Sequence, residues 1–167
     1  MYNKKVLQHF KSPHNFGKIK NPDGTGKVGN IICGDVMWVY IKIGKNKKGE
    51  EIIKDIKFET YGCVAALASS SIVTDLAKGK TIKQALKINQ EEMIKSLGGL
   101  PPIKTHCSIL AVDALLEAIY NYLIKNKEIV SEELEKHHKR IEREEKIIEE
   151  KYKDWTQIEE KIHDSQE

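Results

Sequence analysis

Only three cysteines occur in the 167 residues, and each lies in a short segment suited to holding a metal. Cys33 opens Cys33-Gly34-Asp35, Cys63 closes Tyr61-Gly62-Cys63, and Cys107 directly follows His106. Three thiols, one imidazole and one carboxylate make a donor set for a soft transition metal, with one ligand beyond the four of a purely structural site. The thiols stand 30 and 44 residues apart, so only a folded domain can gather them. A lone cysteine is more often a small buried hydrophobe, and Cys63 beside Val64-Ala65-Ala66 would read that way by itself. That reading weakens because each cysteine sits at an element boundary with an Asp, a His or a Gly close by.

The elements that must position them follow from pattern. Residues 2–11 form an amphipathic helix with Val6, Leu7 and Phe10 on one face, stopped by Ser12-Pro13. Residues 12–30, rich in Asn, Pro and Gly, read as a loop. Val36 to Ile43 and Ile52 to Phe58 are β-branched runs around a glycine-bounded turn, which predicts an antiparallel hairpin; the stretch before Cys33 adds a third strand. A helix starts at Cys63 and runs to Ala77, ended by Lys78-Gly79-Lys80. Thr81 caps a short helix through Leu86, and Asn89 or Gln90 starts another through Leu97. After the rigid Gly98-Gly99-Leu100-Pro101-Pro102 break, a long helix from Thr105 to Lys125 buries Leu110, Ala114, Leu115, Ala118 and Tyr122. Strands first and helices later predict an α+β fold: a small antiparallel sheet of about three strands, helices packed on one face, and an extra C-terminal helix. Cys63 and Cys107 then fall at helix N-termini, which favour negative charge.

The last segment differs in kind. Leu134, Ile141, Ile148, Trp155 and Ile162 recur every seven residues, yet a full heptad needs a second apolar column. A charged helix lying along the domain or half exposed fits best, with a partner-binding or self-associating helix as the alternative. Charge divides at the same place: residues 1–130 carry a net +8 and residues 131–167 a net −5. We therefore divide the chain into a domain over 1–127 and a charged helical extension over 128–167.

Composition narrows the function classes. The lysines of the basic body are scattered, arginine is absent before Arg140, and no aromatic platform alternates with them, so nucleic acid is not expected. No uninterrupted apolar run approaches the ~20 residues that span a bilayer. An odd, low cysteine count argues against a disulfide framework and for a reducing, cytoplasmic setting. Gly24-Thr25-Gly26-Lys27-Val28-Gly29 matches a dinucleotide fingerprint but leads into a strand rather than a helix, so its glycines are assigned to a turn beside Cys33. A His106–Cys107 hydrolase is set aside, since adjacent residues do not face each other and no orienting third group is evident. His9, His14, His137, His138 and His163 read as surface groups.

Several blocks are recognisable together. Cys-Gly-Asp-Val-Met at 33–37, Thr-Tyr-Gly-Cys at 60–63, Ala-Ser-Ser-Ser at 68–71 and Leu-Pro-Pro-Ile-Lys-Thr-His-Cys-Ser at 100–108 resemble the IscU/NifU-type iron–sulfur cluster assembly scaffolds. The resemblance covers about residues 2–125 and not the tail. It implies a non-enzymatic scaffold that builds a 2Fe–2S cluster from Fe(II) and persulfide sulfur and passes it to recipient apo-proteins. Cys33, Cys63 and Cys107 would be ligands, with Asp35 or His106 completing the set. Cys107 would accept persulfide from an IscS/NifS-like cysteine desulfurase, with ferredoxin or another electron donor supplying reduction. Leu100, Pro101, Pro102, Ile103 and Lys104 would form the segment grasped by an Hsp70-type chaperone, and Tyr2 would serve contacts in a homodimer. A vacant site of this kind would also take Zn(II). The competing expectation is a zinc-bound sulfurtransfer partner that accepts persulfide and stimulates the desulfurase.

Overall fold

Asn3 starts the first helix by accepting hydrogen bonds from the N–H groups of Lys5 and Val6, as an N-cap asparagine does. The computed structural model describes residues 1–30, 34–151 and 153. In chain order the elements are α1 (Lys4–Lys11), β1 (Gly24–Gly29), β2 (Val36–Lys45), β3 (Glu51–Tyr61), α2 (Val64–Ala77), α3 (Ile82–Ala85), α4 (Gln90–Ser96), α5 (Thr105–Lys125) and α6 (Glu132–Lys151), with a 3₁₀ turn at Pro102–Lys104. The strands form an antiparallel meander in the order β1-β2-β3. The α+β expectation holds, including the separate C-terminal helix.

Met37, Val39 and Ile41 alternate along β2 and are all buried, with β2 packed on α5 and Met37 also met by Ser70 of α2. On β3 the alternation slips: Ile53 and Ile56, three apart, are both fully buried. A bulge explains this, because Lys42 pairs with Asp55 and Ile43 with Ile53, leaving Lys54 as the extra residue. Each such side chain, taken fully out of water, contributes roughly 1.5–3 kcal/mol. Helix α2 is apolar almost all round because α1, β3, α4 and α5 all pack on it. α5 is long and apolar enough to cross a membrane by length and composition, but most of it is buried in the core.

The segment expected to be a loop before residue 30 contains β1. A Cβ on Gly24 would collide with the Ala118 carbonyl oxygen, and one on Gly26 with the Ala114 carbonyl oxygen. These glycines therefore let the backbone of α5 lie directly on the strand, rather than turning the chain beside Cys33. Helix α1 also differs from expectation. Val6 and His9 are buried, whereas Leu7 and Phe10 are largely exposed. His9 goes inward because its Nδ1 lies 2.8 Å from Ser71 Oγ on α2, a partner 62 residues away.

Helix α6 lies along the domain, with Leu134 and Ile141 buried. His137 and His138 are not surface groups. His137 Nε2 lies 2.9 Å from Asp113 Oδ1, and His138 Nδ1 lies 2.8 Å from Glu117 Oε2 while its ring stacks on Tyr120 at 3.9 Å. Arg140 Nη2 donates to Asp113 Oδ1 at 2.9 Å. Asp113 and Glu117 are buried on α5, so this appendage supplies the cations that answer two interior carboxylates. Trp155, Ile162 and His163 lie outside the described residues.

Candidate metal centre

The hairpin register sets the first contact. Val36 pairs with Tyr61, so the residue before β2, Asp35, comes level with Gly62 and Cys63 after β3. A Cβ on Gly62 would approach Asp35 Cγ, Thr60 Oγ1 and the Ala66 Cβ within 3.2 Å. Only glycine leaves room there for the carboxyl. Cys63 is the N-cap residue of α2, and its thiol makes no capping hydrogen bond. Cys107 lies in the first turn of α5 and is buried. Two helix N-termini thus present thiols to one point, where their partial positive charge favours thiolate ligands.

Ligand atoms of Asp35, Cys63 and Cys107 all lie within 4.8 Å of one another. Asp35 is 6% exposed, yet its Oδ2 has no hydrogen-bond partner among the described residues. A buried carboxylate oxygen left bare is costly unless something else satisfies it, and two thiols beside it indicate a metal ion. One hard oxygen and two soft sulfurs suit iron or zinc. His106 stands next to Cys107 in the same turn but is not part of that triad. Cys33 lies outside the described residues, which resume at its neighbours Gly34 and Asp35.

Supporting residues surround the triad. Burial and the negative charge of Cys63 raise the Tyr2 hydroxyl above its ordinary value, Lys104 opposes this, and Cys107 adds to it. Tyr2 and Lys104 therefore share the electrostatic field of the thiols. Asn3 holds Tyr2 there by donating from Nδ2 to the carbonyls of Leu97 and Gly99, both at 3.0 Å. Gln90 donates to the Thr105 carbonyl at 2.7 Å and to Ser108 Oγ at 3.1 Å, bracing the turn that carries Cys107. In the 100–104 segment Ile103 is 75% exposed. Sequence reading gave Gln90 only as a possible helix start and Gly62 only as the neighbour of Cys63, and assigned Asn3 no role. Of these, only Gly62 carried a local signal, a glycine directly before a cysteine at a strand–helix junction.

A second group, His9, His14 and Asp75, also brings ligand atoms within 4.8 Å of one another. There His14 Nδ1 is 2.7 Å from Asp75 Oδ2, and burial together with His14 lowers the His9 pKa. Ser71 occupies His9 Nδ1, and the carboxylate is already paired. This group is explained as a hydrogen-bonded tie between α1, its following loop and α2.

Comparison with known proteins agrees with the site. The family model described as the NifU-like N terminal domain matches residues 1–129. The chain is 54% identical over 129 residues to the iron–sulfur cluster assembly scaffold protein IscU 1 of Archaeoglobus fulgidus, covering 77% of this chain and 81% of that one. It is 46% identical over 129 residues to the scaffold protein IscU of Rickettsia prowazekii, covering 75% and 95% respectively. The fold is shared with the N-terminal part of a NifU-like protein from Brucella abortus, with a TM-score of 0.56 at 22% identity over 74% of this chain and 94% of that one. The Archaeoglobus and Rickettsia relatives are named as scaffolds for iron–sulfur cluster assembly, whereas the Brucella structure shows a shared fold. The chain belongs to the NifU-like N-terminal domain family, as an IscU-type scaffold.

Proposed function

We propose that this protein builds a 2Fe–2S cluster on Cys33, Cys63, Cys107 and one of Asp35 or His106, and then releases it to apo-proteins. The convergence of Asp35 Oδ2, bare and buried, with the thiols of Cys63 and Cys107 carries the proposal. Sulfur would arrive as persulfide on a cysteine desulfurase. The Cys107 thiolate attacks the outer sulfur, the S–S bond to the desulfurase cysteine breaks, and that cysteine leaves as thiolate. Two electrons, one from a ferredoxin-type donor and one from Fe(II), then cleave the new S–S bond, restoring the Cys107 thiolate and yielding one sulfide; two such rounds give two sulfides and two ferric irons.

A mixed oxygen–sulfur ligand set holds a cluster less firmly than four thiolates, which suits cargo that must leave. The exposed Ile103 and its flanking prolines offer an apolar handle for an Hsp70-type chaperone. Tyr2, whose hydroxyl feels the charges of Cys63 and Cys107, would make the homodimer contacts that accompany cluster formation. A reducing, cytoplasmic compartment would keep all three thiols unoxidised.

The test is anaerobic reconstitution with desulfurase, cysteine, a reductant and Fe(II). The expected product shows visible sulfide-to-iron charge-transfer bands with equal iron and sulfide. A colourless protein that keeps one zinc per chain and still accepts persulfide would favour the sulfurtransfer alternative.

A further inference from the structure

Given the ligand set proposed above, we propose that Ile148 is a positioning residue for Asp35, and that α6 is a strap that delivers it. β1 ends at Gly29, opposite Val36. The next residue, Asn30, donates its N–H to the Asp35 carbonyl at 2.9 Å, and Gly34 N–H returns to the Asn30 carbonyl at 2.9 Å. These two bonds tie Asn30 to both Gly34 and Asp35. A Cβ on Gly29 would fall 3.2 Å from Ile148 Cδ1 and 3.9 Å from the Asp35 carbonyl oxygen. Ile148 Cδ1 therefore lies close beside Gly29, the strand end whose next residue, Asn30, is hydrogen-bonded to Asp35, and a side chain at position 29 would crowd both.

This contact matters because of what the Asp35 tip lacks. Its Oδ2 has no hydrogen-bond partner among the described residues, so the space beside Gly62 and the backbone that carries Asp35 set the aim of that oxygen. The strap has its own anchors. Leu134 and Ile141 are buried, and His137, His138 and Arg140 bind Asp113 and Glu117. Glu145 lies against β1, where burial raises its carboxyl and the Lys27 charge opposes that rise. Ile148 is one heptad beyond Ile141, about 10 Å along a continuous helix, and is carried to Gly29 by that continuity. The family match ends at residue 129, so α6 lies outside the matched region.

The test uses the full chain and Co(II) without oxygen, read by thiolate-to-cobalt charge-transfer absorbance against a competing chelator. Ile148→Ser should weaken Co(II) about three- to tenfold, within the range of couplings between contacting residues. Ile148→Val should retain nearly all of the affinity. Ile147→Ser, at a neighbouring half-exposed position, should change nothing. In an Asp35→Ala background, Ile148→Ser should cause no further loss, because its effect passes through Asp35. Unchanged affinity in Ile148→Ser, or an equal loss with and without Asp35, would overturn the proposal. If Asp35→Ala alone leaves Co(II) binding intact, the ligand set falls and the strap's role with it. Ile148→Ala, a milder cut, gives the same comparison should Ile148→Ser fail to fold.

Discussion

A Cβ on Gly62 would lie 3.2 Å from Asp35 Cγ, so the glycine before Cys63 is the space into which the Asp35 carboxyl fits. The same Cβ would stand 2.8 Å from the Ala66 Cβ, a distance that real side chains do not tolerate. Gly62→Ala should therefore push Asp35 away from the thiols and strain the first turn of α2. We expect a stability loss of about 1–3 kcal/mol, typical of over-packing, and weaker Zn(II) or Co(II) binding. Chemical denaturation and a metal titration on one preparation check both effects. Wild-type metal affinity in Gly62→Ala would show that the carboxyl does not need this space.

The β1–α5 contact makes a second prediction that is purely structural. Gly26 faces the Ala114 carbonyl, so Gly26→Ala sets a methyl group against helix backbone, which cannot rotate aside. The cost should reach the upper end of over-packing, about 3 kcal/mol. Gly49→Ala is the comparison, since its Cβ would meet nothing within 4 Å although its φ of +78° brings strain of its own. Thermal melts should rank Gly26→Ala well below Gly49→Ala.

These two glycines mark where sequence reading succeeds and where it stops. The bounds of α2 and α5 were legible because Cys63, Thr105 and the Pro-Pro break are local signals, and apolar spacing continues them. The convergence of Cys63 with Cys107 was legible for the same reason, since both begin helices. A third strand was expected before Cys33, but not at 24–29, because three glycines among the six residues mask the strand pattern of Thr25 and Val28, and the strand owes its place to a helix some 90 residues on. The histidines failed for a related reason. His9 is buried by Ser71, and His137 by Asp113, 24 residues away. No pattern within one element announces such partners.

The α5–α6 clasp should depend on pH in a defined direction. Burial opposes a charge on His137, but the hydrogen bond to Asp113 and the Glu117 carboxylate 3.4 Å from Nδ1 outweigh it and raise its pKa from 6.5 to about 9. Arg140 is the nearby cation acting against this rise. A raised folded pKa means the native state binds the extra proton, so the stabilisation is complete below about pH 6.5 and is lost as pH climbs through about 9. The whole effect is worth at most about 3 kcal/mol. Limited proteolysis of α6 should accelerate between those limits in the wild type, and His137→Gln should flatten the profile. A wild-type profile that is flat from pH 6 to 10 would mean the ring is not held charged.

Cys107 and Asp35 meet at one point but are expected to fail in opposite ways. Cys107 is buried in the first turn of α5, and as the proposed persulfide acceptor its sulfur is needed before any cluster exists. Cys107→Ser should abolish persulfide loading, seen as loss of the 32-dalton mass gain expected for one added sulfur atom, while Zn(II) binding is only weakened because other ligands remain. Asp35→Ala removes the bare oxygen instead. Persulfide loading should then survive, and the reconstituted cluster should outlast the wild type when challenged with an apo-protein or chelator, since the hard, weakly held ligand is gone. The decay of visible absorbance measures that lifetime. Persulfide loading of Cys107→Ser at the wild-type level would reassign the acceptor to Cys33 or Cys63, and faster cluster loss in Asp35→Ala would make the carboxylate a stabiliser of the cargo instead of the ligand that lets it leave.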